Sequence, residues 1–252
     1  MFSLNLLSPK SFFMKKKISG YSIAFMHFLE SLKLTNLDFV INANGKSKIS
    51  IFFGPPAVSY KPPKGKYNII YFYWETDIIP KSWVSDIEMY DEVWTPCLLT
   101  KTAIRKSGFS KKISIIPTPC EVDIPEDKFK IISDDGVSFL SNNFFMFYSI
   151  SQWHYRKGWD IMIKSYYDSF SYLDDVILYI KTSSVGTKNM SKDNIYSEIL
   201  SIKNKYGKKL PRIILNTKPV SSKDIMMIHK AGDCYVSSHR GEGWGLGMHE
   251  AS

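Results

Sequence analysis

Short apolar runs rich in β-branched and aromatic residues alternate along the chain with longer segments whose apolar positions recur every three to four residues. That is the pattern of a mainly parallel sheet covered by helices. In the first half it predicts strands at 4–8, 39–42, 49–53, 68–74, 92–96 and 113–117. Helices are predicted at 22–34, where Ile23, Met26 and Leu34 keep a helical period, and at 98–107, stopped by Gly108. After Pro119 the pattern lapses into 121–143, where Pro125, acidic residues and Asp134-Asp135-Gly136 have the composition of a surface connection. A second alternation follows, with strands at 144–150, 176–181, 212–216 and 233–237 and helices at 158–170, 194–206 and 222–231. The expected architecture is α/β, two Rossmann-like domains at 1–138 and 139–252, with strand ends of both sheets facing a cleft.

Composition narrows this little further. The 252 residues are 44 % hydrophobic and 23 % charged, enough to build real cores and too apolar for a disordered chain. No run approaches the roughly 18 apolar residues of a membrane span. The opening MFSLNLLSPKSFFMKKK places its lysines after the apolar segment, the reverse of a secretory signal, so a cytoplasmic protein is expected. Cys97, Cys120 and Cys234 are odd in number and widely spaced, and read as reduced. The net charge of +9 favours anionic partners and offers a basic surface for peripheral membrane contact. The lysines nevertheless fall in dispersed groups, at 15–17, 61–66, 101–112 and 203–209, and read as solvated surface rather than as a nucleic-acid tract.

The segment carrying most chemistry is the last one, Asp233-Cys-Tyr-Val-Ser-Ser-His-Arg-Gly-Glu-Gly-Trp-Gly-Leu-Gly-Met-His-Glu250. An apolar strand leads into a loop with four glycines, Gly241, Gly243, Gly245 and Gly247, and then into a new helix. Bare backbone amides with a helix behind them suit a phosphate or a sugar. Seven residues separate Glu242 from Glu250, and this spacing resembles the E-x7-E signature of glycosyltransferase family 4, retaining sugar transferases of the GT-B fold. The run from Ser149 through Arg156-Lys157-Gly158 to Tyr166 resembles the family's first C-domain strand and following helix start. Asp224 to Val236 is similar to its L-Y-x-x-A-D-x-F-V segment. In the first half Tyr73-Trp-Glu-Thr-Asp-Ile-Ile-Pro80, Asp91 to Pro96, Ser107 to Phe109, Ile113 to Pro117 and Glu121-Val-Asp123 resemble the family in the same order.

The resemblance implies transfer of a sugar from a nucleotide-diphosphate donor to a glycan, lipid-linked or other acceptor, with retention of anomeric configuration, as in glycan biosynthesis. As the anomeric bond breaks, charge builds on the leaving diphosphate, and preorganised cations or amides stabilise it. By resemblance Lys157 and Arg156 serve here. The family's second diphosphate cation falls at Ser151, which leaves Arg156 or His154 to supply that contact. Glu242 would accept hydrogen bonds from the donor sugar; Gly243, Trp244, Gly245 and Leu246 would line sugar and diphosphate. Glu250 would hold the two ribose hydroxyls, because a carboxylate accepts two donors at once. On the acceptor side the matching positions are Glu75 and Thr76.

No D-x-D triplet occurs, so no metal and no cofactor beyond the donor co-substrate is expected. Read without the family, Arg156 and Lys157 form a solvated helix start, Glu75 a helix cap and His154 a surface residue. His239 and Arg240 are either phosphate contacts or loop surface, and Trp74, Trp83, Trp94 and Trp153 read as packing residues. The sequence stops two residues after Glu250. A complete second domain of this kind would run on the order of 80 to 120 residues further. The expectation is a fragment of a longer protein active in full-length form, or a shortened member with an incomplete second domain. Three other functions compete: a silent nucleotide- or sugar-binding remnant, a sugar-nucleotide epimerase, and, from charge alone, nucleic-acid binding.

Overall fold

The computed structural model describes residues 3–9, 20–42, 47–56, 60–120, 131–134, 136, 138–139, 144–183 and 191–252. The lysines at 15–17, the Glu121-Val-Asp123 match and the acidic stretch around Pro125 lie outside the described residues. The chain forms two compact units, Met1–Glu121 with Glu242–Leu246, and Val122–Gly241 with Gly247–Ser252.

The first unit is built on β1 (Ser3–Leu7), β2 (Asp38–Ile41), β3 (Ile49–Phe53), β4 (Tyr67–Tyr71), β5 (Glu92–Thr95) and β6 (Lys112–Ile115). They pair in the order β2-β1-β3-β4-β5-β6, every pair parallel. Helices α1 (Gly20–Lys33), α2 (Lys81–Ile87) and α3 (Leu98–Lys106) connect them. Successive residues on a strand point to opposite faces. On β3, Ile51 and Phe53 therefore join Phe25, Phe28 and Tyr71 on one face, while Phe52 joins Ile70, Phe72 and Ile104 on the other. Burial on both faces explains why these strands read as unbroken apolar runs. The short helix α2 was not expected; with seven residues it carries too few turns for periodicity to mark it. Strand β4 ends at Tyr71, short of the expected 74, because the amide of Tyr73 turns to the hydroxyl of Tyr21 at 3.0 Å and leaves the ladder.

The second unit follows the same logic with β9 (Phe145–Gln152), β10 (Val176–Ser183), β11 (Arg212–Asn216) and β12 (Cys234–Tyr235), in the order β11-β10-β9-β12, all parallel. Helices α4 (Trp159–Ser169), α5 (Lys192–Tyr206) and α6 (Ser222–Ala231) cover it. Leu178 and Ile180 pack with α4 and α5 on one face, and Ile177 and Tyr179 pack with Ile228 of α6 on the other. Ser191 and Ser221 start α5 and α6 with reciprocal capping boxes. A last short helix, α7 (Leu246–Glu250), follows the glycine-rich loop.

The stretch expected as surface connection is partly built into this unit. Residues Ile131–Ile132 (β7) and Ser138–Phe139 (β8) pair antiparallel. Between them the carboxylate of Asp134, fully buried, accepts from the Thr217 amide (2.9 Å) and hydroxyl (2.7 Å). It thereby satisfies donors just past the end of β11, a role acidic composition alone does not reveal. Asp134 also opposes the effect of burial on Lys181, whose ammonium sits among backbone carbonyls and is pushed below the ordinary lysine range.

Candidate functional site

In the second sheet β9 is followed by β10 and β11 on one side, and the chain then returns to place β12 on the other. The connections leaving β9 and β12 therefore diverge from adjacent parallel strands at the point where strand order reverses. In open α/β sheets this is where ligands bind, outside the carboxyl ends. The two segments singled out by sequence, around Arg156-Lys157 and from Ser237 onward, are the ones that leave β9 and β12.

After β9, Trp153 is buried and stacks on Trp159 with centroids 4.4 Å apart, while its indole N–H donates to Glu198 at 2.6 Å. Arg156 and Lys157 do not open α4 as expected. They belong to a 3-10 turn, Tyr155–Lys157, that precedes it. His154 caps this turn, its Nδ1 accepting from the Arg156 amide at 3.1 Å. Gly158 then takes a left-handed conformation (φ 68°) and hands the chain to α4.

The loop after β12 is tied to this turn across 85 residues of sequence. Arg156 Nη1 donates to the Gly241 carbonyl at 2.6 Å, and the Arg240 amide donates to the Arg156 carbonyl at 2.8 Å. Ser238 Oγ donates to the Gly158 carbonyl at 2.8 Å. These bonds draw the backbone away from β9 after Val236, so β12 is two residues long rather than the expected five.

Arg240 turns toward α4. It forms a bidentate pair with Asp160 (2.8 and 2.9 Å), donates to the Tyr155 carbonyl at 2.7 Å and lies 3.8 Å over the Tyr155 ring. Hydrogen bonds from Arg240 hold the Asp160 carboxyl below the usual carboxylate range, against a smaller opposing effect of burial. Asp160 went unassigned in the sequence, where an acid in the first turn of a helix is explained by the helix dipole alone. Because its pKa is lowered on folding, the pair stabilises the fold above the ordinary carboxylate value, near 4, and that contribution is lost as pH falls through the depressed value. Asp160→Asn is therefore expected to melt below the parent at pH 7, with the gap closing under acid conditions. A gap independent of pH would contradict the pairing.

Glu250, at the end of α7, is enclosed in the second unit. Its carboxylate Oε2 lies 3.4 Å from His229 Nε2 of α6, and the two side chains are only 9 % and 5 % exposed. Tyr148 of β9 meets the other ring nitrogen, Nδ1, at 3.1 Å. Gly247 lets α7 start close to β12; a Cβ there would stand 2.7 Å from the Tyr235 hydroxyl. His229 and Tyr148 were not singled out in the sequence, because each reads as an ordinary member of its helix or strand.

Glu242–Leu246 belong to the first unit. Within it Gly243 is buried, 2.9 Å from Tyr73 Cβ measured at the position a side chain would take, and its carbonyl lies 3.7 Å from Cys97 Sγ. Trp244 packs against the core cluster that holds Tyr73 and Phe53, and Gly245 is buried with φ 79°. Glu75 is half-buried and Thr76 is exposed, just past β4. Thr76 donates to the Ile78 carbonyl at 3.0 Å. Glu75 does not cap α2, whose N-cap is Pro80 with no side-chain bond. Nearby, Tyr71 and Tyr73 share the Thr118 hydroxyl at 2.9 and 2.8 Å, and burial pushes the Tyr71 phenol up to about 12.

The three cysteines are free thiols. Among the described residues no group of three or more histidines, cysteines and acids is placed to hold a metal, and no helix is long and apolar enough to cross a membrane.

No family model matches the sequence, and no curated protein does. Solved structures do match its fold. Anabaena Alr3699/HepE in complex with UDP and glucose superposes with a TM-score of 0.66 at 11 % identity, over 100 % of this chain and 78 % of that one. A trehalose-6-phosphate synthase, studied for glycosyltransfer with retention through bisubstrate glycomimetics, gives 0.56 at 13 %, over 92 % of this chain and 60 % of its own. A point mutant of S. aureus TarM, in complex with fondaparinux, α-GlcNAc-glycerol and UDP, gives 0.56 at 14 %, over 93 % of this chain and 43 % of its own. At these identities the likeness concerns fold: the chain has the α/β, GT-B-like organisation with one parallel sheet in each unit.

Proposed function

We propose that this chain transfers a sugar from a UDP-linked donor to a hydroxyl acceptor with retention of configuration and without a metal. The observation that carries the proposal is the convergence of the Arg156-Lys157 turn and the glycine-rich loop on adjacent strands at the reversal point of the second sheet. Proteins that share the fold, Anabaena HepE in complex with UDP and with UDP-glucose and a trehalose-6-phosphate synthase studied for glycosyltransfer with retention, support the class of donor and reaction.

In the reaction the bond from the anomeric carbon to the diphosphate oxygen breaks and its electron pair leaves on the diphosphate. The acceptor oxygen bonds to the same face of the anomeric carbon and passes its proton to the departing diphosphate oxygen. Lys157 stabilises the growing charge on the diphosphate. Arg156, bonded to the Gly241 carbonyl, fixes the start of the glycine-rich loop against the turn that carries Lys157, so that this cation need not reorganise as charge develops. Glu242 accepts from the sugar hydroxyls, Gly243 to Leu246 line sugar and diphosphate, and Glu250 accepts from the ribose diol. Glu75 and Thr76 lie on the acceptor side, which a glycan or a lipid-linked glycan occupies; a membrane-borne acceptor would be met through the basic surface.

Isothermal titration with UDP-, GDP- and ADP-sugars, followed by product analysis with acceptor mixtures in EDTA, tests this. Binding of UDP-sugars and an α-linked product from an α-linked donor are expected. Failure to bind any of them would overturn the reading.

A further inference from the structure

The contact between His229 and Glu250 goes beyond the family resemblance, which assigns nothing to position 229. His229 Nδ1 faces the Tyr148 hydroxyl at 3.1 Å, and burial pushes the Tyr148 phenol up to about 12. The Glu250 carboxylate faces Nε2 and can only accept, so the ring N–H that meets it is on Nε2, and Nδ1 accepts from the Tyr148 hydroxyl. Nε2 is buried and has no aligned hydrogen bond among the described residues. Glu250 Oε2 lies 3.4 Å from it. The Tyr235 ring lies roughly parallel to the imidazole at 6.1 Å, and Tyr148 meets it edge-on at 5.6 Å.

A buried N–H without an acceptor is costly, and the Glu250 carboxylate is a group within reach that removes this cost. Such contacts are often long without ligand and tighten once the ligand is bound.

We infer that His229 is a positioning residue for the nucleotide site: oriented by Tyr148, it fixes one oxygen of Glu250 so that the carboxylate is presented squarely to the ribose diol. The inference rests on the reading of Glu250 as the diol acceptor. It separates two contributions that mutation of Glu250 alone would merge, the charge of the carboxylate and its orientation.

UDP and 2′,3′-dideoxy-UDP, titrated into the chain and its variants, test the inference. His229→Phe is expected to weaken UDP about ten-fold, the equivalent of 1.4 kcal/mol, and to leave the dideoxy analogue within about two-fold. His229→Gln, which returns an N–H near the position of Nε2, should recover most of the UDP affinity. Combined with Glu250→Gln, His229→Phe should add little further loss, because both act through one carboxylate. Equal losses for UDP and the dideoxy analogue, or full additivity in the double variant, would overturn the inference and leave UDP binding standing. A parent chain that binds neither ligand would overturn the donor reading and this inference with it.

Discussion

Alanine at position 158 is expected to lower the melting temperature of the second unit by on the order of 10 °C, a large effect for adding one methyl group. Gly158 has φ 68°, and a Cβ there would stand 1.9 Å from the Ser238 carbonyl oxygen and 2.8 Å from its carbon. Both atoms are backbone, so no side-chain rotation relieves the contact. The carbonyl of Gly158 is also engaged by the amides of Ile161 (2.9 Å) and Met162 (3.1 Å) and by Ser238 Oγ. The left-handed conformation costs a residue with a Cβ roughly 1 to 2 kcal/mol, and forced repacking about 1 to 3 more. Gly136→Ala, in the same unit at φ 81° with nothing within 4 Å, supplies the cost of a positive φ without the clash. Calorimetry should place Gly158→Ala well below Gly136→Ala. Equal melting would mean that the loop after β12 does not rest on the turn after β9.

Replacing Glu242 with glutamine is expected to reduce sugar transfer about 100-fold or more while leaving UDP binding within about two-fold. Hydrogen bonds to a charged acceptor contribute about 1.5 to 3 kcal/mol each, and a carboxylate that receives two sugar hydroxyls loses a substantial part of this when neutralised. UDP lacks the sugar, so its affinity reports whether the rest of the site survives. Single-turnover kinetics with a UDP-sugar, beside titration of UDP, separate the two effects. Parallel loss of both would make Glu242 a structural residue of the loop, and undiminished transfer would remove it from the site.

Much of the proposed site was legible because it is built from contiguous sequence. Glu242, the glycines and Glu250 stand within one loop and the helix after it, and Arg156-Lys157-Gly158 within one strand-to-helix connection. What these residues bond to was not legible. Arg240 reads equally as a phosphate contact or as loop surface, yet it holds Asp160 in a bidentate pair 80 residues away. His154 reads as surface or as a diphosphate contact, yet its Nδ1 caps the turn that carries Arg156. Asp134 sits in a stretch whose composition signals a surface loop, yet its carboxylate is fully buried.

The sequence by itself determined the order and kind of the long elements. Strands buried on both faces show as apolar runs and amphipathic helices repeat at their own period, and both signals are local. It also determined which residue types stand next to the glycines. The tertiary structure alone decided that β12 lies beside β9, and therefore that the turn and the loop meet. It likewise decided that Asp160 claims Arg240 and that His229 reaches Glu250. Hydrogen bonds and ion pairs act over a few ångströms, and only the folded chain brings groups so far apart in sequence within that range.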